Sequence, residues 1–137
     1  MIVTNRANAL AALGEQTGDP AALEAAAAAY RQALDVLGAE HSYGDGCMRR
    51  AIAELNLGTV LVRLGDHHAP HRHWVEAMAV MLSALETFRG RQADAFVRIA
   101  EVNLRNLHKA AQGATQGAIY EAAPSAVPTH TSTKPVG

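Results

Sequence analysis

Four of the seven histidines in this 137-residue chain fall within "DHHAPHRHW", residues 66 to 74, beside Asp66 and the single tryptophan, Trp74. Imidazoles at this density suit two kinds of chemistry: holding a metal ion, or taking up protons at about pH 6.5. A zinc site needs three or four ligands converging at about 2.0–2.1 Å for nitrogen. His67, His68 and His71 with Asp66 are the candidate set, provided the loop curls around the ion. Two features oppose that reading. Pro70 fits the first turn of a helix and not its interior. His67 and His68 are therefore expected in a loop and His71 and His73 in a helix, so the four-residue step from His67 to His71 is not a helical metal pair. His71 and His73, two residues apart, project to nearly opposite sides of that helix. No cysteine lies nearby and no His-Glu-x-x-His pattern occurs. The bland expectation is a surface loop that titrates, with acid charging it and loosening the structure around it.

Other catalytic constellations are missing. The sequence has no nucleophile with a base at a recognisable spacing, no glycine-rich phosphate loop and no paired carboxylates outside turns. Ser42, Ser83 and Cys47 read as ordinary loop or helix residues, so an enzyme is not expected and no cofactor is implied. Twelve basic residues against thirteen acidic ones give a net charge of −1. There is no basic run of the kind that nucleic-acid binding rests on. The longest apolar stretch, "AMAVMLSAL" at 77 to 85, is about half of the roughly 20 residues a membrane span requires. The N-terminus lacks the basic start and apolar run of a secretory signal. A lone Cys47 fits a reducing compartment, and the cytoplasm is the expected location.

Positioning falls to helices. Hydrophobic residues make up 49% of the chain and aromatics 4%, and alanine and leucine, both good helix formers, dominate. Clusters of glycine and proline separate five helical stretches, expected at about 2–14, 20–37, 47–65, 70–89 and 92–112. In the second, Leu23, Ala26, Ala27, Tyr30, Ala33, Leu34 and Leu37 recur at helical steps. "TGDP" before it supplies Asp19 as N-cap and Pro20 as first helical residue. From about Ala118 the proline-rich, apolar-poor sequence predicts a disordered tail. The expected division is a helical domain over 1–116 and a tail over 117–137.

The chain also repeats itself. Shifting it by 51 residues lays Asn5, Leu10, Leu13, Gly14 and Glu15 on Asn56, Leu61, Leu64, Gly65 and Asp66. The same register lays Leu23 on Trp74, Ala26 on Ala77, Tyr30 on Met81 and Leu37 on Phe88. A further shift of 47 lays "IAELNLGTV" at 52 on "IAEVNLRNL" at 99. Two helical hairpins followed by a third first-helix are expected. Gly58, inside a helix, implies close approach of a neighbour, and Trp74, matching Leu23, implies a core anchor.

The pattern Asn-Leu-Gly at 56–58, Leu-Gly at 13–14 and 64–65, "AAAAYRQAL" at 26–34 and "AMAVMLSAL" at 77–85 resembles the tetratricopeptide repeat. "LGEQTGDPAALEAAAAAYRQAL" is similar to bacterial variants with a lengthened inter-helix loop. The likeness covers residues 5 to about 110. It departs from the family in a period of 47 to 51 rather than about 34, and no proline closes the second helices after Leu37 or Phe88. The resemblance implies an all-α fold: antiparallel hairpins stacked as a short right-handed α-solenoid of about two and a half repeats. A closing helix would follow, with Arg105, His108 and Lys109 charged where the middle copy has Gly58, Leu61 and Val62.

By the same resemblance, first helices line a concave groove that takes an extended peptide or a partner helix. Asn5, Asn8, Asn56, Asn103 and Asn106 would face it, and their amides can both donate to and accept from a peptide backbone. The competing reading has these asparagines fixing the register between neighbouring helices. The lysines of the family's carboxylate-binding version have no counterpart: Thr4, Leu55 and Val102 occupy one set of matching positions. The expected function is a small adaptor or scaffold for a protein or peptide partner. A histidine-loop metal binder and a fragment of a longer repeat protein are the alternatives. So short an array is marginal as a monomer, so its unprotected N-terminal edge is expected to pack on a second copy or a partner.

Overall fold

A computed structural model describes residues 2–40 and 45–122. Five helices follow one another: α1 (Ile2–Thr17), α2 (Pro20–Glu40), α3 (Asp45–His67), α4 (Pro70–Gly90) and α5 (Asp94–Ala122), with no strand among the described residues. The all-helical class is as expected. Residues up to Leu107 form one compact unit, and His108 onward, which includes the last turns of α5, forms a second.

Three breaks between helices show why the chain turns where it does. Gly18, at φ +70°, ends α1, and its N–H bonds to the carbonyl of Gly14 at 2.8 Å. Asp19 then caps α2, its Oδ1 accepting from the Ala21 N–H at 2.9 Å, and Pro20 opens the helix as the sequence predicts. Between α3 and α4, Pro70 cannot continue the hydrogen-bond ladder, and Ala69 takes up the turn in the left-handed region at φ 45°. After α4, Gln92 adopts φ 57° while Ala93 N–H reaches back to the Phe88 carbonyl at 2.9 Å, a Schellman-type ending without glycine.

The helices are longer than the glycine pattern predicts. α1 runs through Gly14 to Thr17, α2 ends at Glu40 rather than 37, and α3 continues through Gly65 to His67. His67 is thus helical, and the His68 N–H still bonds to Leu64 O at 3.0 Å. α5 extends to Ala122, past its expected end at 112 and into the stretch assigned to the tail. The rest of that tail, 123–137, lies outside the described residues.

The reason is that Gly14 and Gly65 are contact residues, not terminators. A Cβ on Gly14 would stand 2.6 Å from Leu23 Cδ2, and one on Gly65 would collide with Trp74 Nε1. The two contacts lie 51 residues apart, in the register of the sequence repeat. Gly58 meets α4 in the same way, its missing Cβ 2.6 Å from Met81 Cγ.

Around these contacts the core gathers Tyr30, Leu57, Leu61, Leu64, Met81 and Phe88, all fully buried. α5 joins through Ala100, Leu107 and a Phe88–Phe96 stack with centroids 5.0 Å apart. Trp74 is half-buried against this core, and its Nε1 donates to Val62 O at 3.4 Å. The repeat match is imperfect at one end: Leu64 is buried but its counterpart Leu13 is 49% exposed. Arg105, His108 and Lys109 are exposed.

Candidate partner-binding groove

Three of the five candidate asparagines form bonds that tie helices together. Asn8 on α1 accepts from the buried Tyr30 hydroxyl of α2, and the Asn56 amide of α3 donates to the same Asn8 oxygen at 3.4 Å. Asn103 on α5 donates to Thr59 Oγ1 on α3 at 3.4 Å, while the Thr59 hydroxyl donates to Leu55 O at 3.1 Å. The row therefore runs across α1, α3 and α5, in contacts of the kind that the register-fixing expectation requires. At 3.4 Å the interhelical bonds are long and weak. Each amide has two donor hydrogens and an acceptor oxygen, so these bonds use part of its capacity. Asn5 and Asn106 are exposed at either side of the row.

Asn103 lies on an open surface patch of α5 together with Ala95, Arg98, Ile99 and Val102. Ile99 and Val102 are 47% and 42% exposed. Their repeat counterparts on α3, Ile52 and Leu55, are half-buried and buried. The patch thus offers exposed aliphatic surface beside an amide and a guanidinium. Burial of the Tyr30 ring raises its hydroxyl pKa, opposed by the Asn56 amide and reinforced by the Glu15 charge. The phenol stays a neutral donor within the row.

The histidines do not converge. Among the described residues no three histidine, cysteine or carboxylate side chains come together in a way that could hold a metal ion. His67 and His71 are exposed. His68 pairs with Glu24 of α2 at 3.2 Å. The His73 ring stands edge-on to His68 at 5.2 Å, and its Nδ1 is buried with no hydrogen-bond partner among the described residues. Burial first, then the charges of His68, Arg72 and Arg31, lower the His73 pKa against the opposing pull of Glu76. Glu76 in turn is held by Arg31 through two bonds, 2.9 and 2.7 Å, which lower its own pKa. The stretch that first suggested a metal centre is a set of polar links joining the α3–α4 turn to α2.

Glu54 went unnoticed in the sequence. It is buried at 6% exposure, and burial raises its pKa against the lowering effects of a Ser83 hydrogen bond and the Arg50 charge. Its position in "IAELNLG", at helical spacing among buried Ala51, Leu57 and Leu61, was the available signal. No helix of the described residues is long and apolar enough to cross a membrane. Comparison with protein-family models, with curated proteins and with solved structures yields no match to this chain.

Proposed function

We propose that this chain is a small interaction adaptor of tetratricopeptide-like construction. In this reading α1–α2 and α3–α4 are two stacked hairpins of a short right-handed solenoid, and α5 is the first helix of a third repeat. A partner peptide or helix lies across α1, α3 and α5. What supports the stacking is the recurrence of the glycine contacts, Gly14 with Leu23 and Gly65 with Trp74, at the repeat interval. The observation that carries the function is the exposed apolar patch of α5 beside Asn103. Ile99 and Val102 present apolar surface to solvent beside a hydrogen-bonding amide, the composition typical of a recognition surface.

The test is affinity capture with the full chain, identification of the retained protein, and titration of that protein against variants. Ile99→Asp and Asn103→Ala should each weaken binding by roughly tenfold or more while leaving the melting temperature of Asn103→Ala within a few degrees of the parent. Binding that survives both substitutions would remove the patch from the function.

A further inference from the structure

The repeat register gives α2 and α4 equivalent positions, and the two sets differ in chemistry. On α2, Glu24, Ala27 and Arg31 face the rest of the molecule: Glu24 pairs with His68, Ala27 is 1% exposed, and Arg31 is held by Glu76. The residues 51 positions on are Val75, Met78 and Leu82. They are 57%, 40% and 51% exposed. A helix face that ends a stack in water is expected to turn polar; this one is apolar where its counterpart on α2 is charged. His71, Val75, Met78, Leu82 and Glu86 follow at steps of three and four and share one side of α4. The stripe has a basic end at His71 and Arg72, an aliphatic middle and an acidic end at Glu86, all exposed.

Such a stripe is complementary to itself when reversed. We propose that two copies of this chain associate through α4, antiparallel about a two-fold axis passing between Met78 and Ala79. In that arrangement Val75 of each copy lies on Leu82 of the other, and His71 and Arg72 meet Glu86 of the other copy at both ends. The contact is isologous, so it closes at a dimer and does not propagate. The apolar middle supplies the attraction, and the charged ends fix direction and register more than strength. One helix pair falls in the class of interfaces below about 1,200 Å², so the dimer is weak and separates on dilution. The contact is independent of the patch on α5.

Sedimentation equilibrium of the full chain over roughly 1 to 300 micromolar tests this directly. The weight-average mass should rise from one copy toward two, and Val75→Ser or Leu82→Ser should each raise the dissociation constant by roughly tenfold or more. Both positions are exposed, so circular dichroism should be unchanged. Arg72→Glu and Glu86→Arg should each weaken the dimer, and the double variant R72E/E86R should recover most of the loss. Leu13→Ser on α1 should have no effect. A mass of one copy at every concentration overturns the proposal. So does a dimer indifferent to Leu82→Ser and Val75→Ser, one abolished by Leu13→Ser, or a charge-swapped double variant no better than the single variants.

Discussion

Gly65 and Gly38 both sit inside helices, yet an alanine should have opposite effects at the two sites. At Gly65 a methyl group would collide with the indole of Trp74, and that ring cannot move without giving up its bond to Val62 O. Gly65→Ala should therefore cost about 1–3 kcal/mol in urea titration. At Gly38 the nearest atom is Arg50 Nη1 at 3.8 Å, an ordinary contact, so Gly38→Ala should add about 0.5–1 kcal/mol through reduced chain entropy. Glu54 makes a second residue-scale case. Its carboxyl titrates above its ordinary range because burial disfavours the charge. The folded state therefore binds that proton more tightly than the unfolded chain. The resulting stability is present in acid and is lost as pH rises through the folded pKa. Glu54→Gln should raise the melting temperature at neutral pH and remove this part of the pH dependence, as calorimetry at several pH values would show.

At the scale of elements, α4 is held at its start by Trp74 and by the polar links around His73. Trp74→Ala should cost about 3 kcal/mol, at the low end for a tryptophan because the ring is half-buried. His73 works in the opposite sense to Glu54. Its folded pKa lies below the ordinary 6.5, so both states are neutral above that value and the unfolded chain takes the proton first as pH falls. Stability is then lost from about pH 6.5 down to the folded pKa. The Arg31–Glu76 pair adds a loss at lower pH, since the Glu76 carboxyl titrates below its ordinary range and its stabilisation disappears on protonation. In a Glu54→Gln background, where the opposing term is removed, thermal melts should fall between neutral pH and pH 5, and His73→Phe should flatten the first part of that decline; an unchanged profile would remove His73 from the acid response. The helix boundaries were less legible than the helices themselves. Gly14 and Gly65 read as terminators because a glycine at a helix end and a glycine under a crossing side chain look alike in sequence.

For the whole molecule, the core runs without a break from Ala7 on α1 to Leu107 on α5. Trp74 fluorescence and far-ultraviolet circular dichroism should accordingly report one coincident urea transition, whereas separated transitions would mean that the hairpins unfold independently. Composition, capping at Asp19 and Pro20, and the 51-residue self-match determined by themselves that the chain is helical and that Leu23 and Trp74 occupy equivalent places. Local propensity and apolar period act within one helix, so a single sequence carries them. What touches what was decided only by tertiary structure. The histidine stretch became a set of links from α2 to α4 because Glu24, Arg31 and Glu76, distant in sequence, arrive beside it. The asparagines became a row bonded across α1, α3 and α5, and Val75, Met78 and Leu82 remained exposed although they are apolar and recur at helical steps. Burial depends on which helices come next to one another in space, and the spacing of residues along one helix does not contain that information.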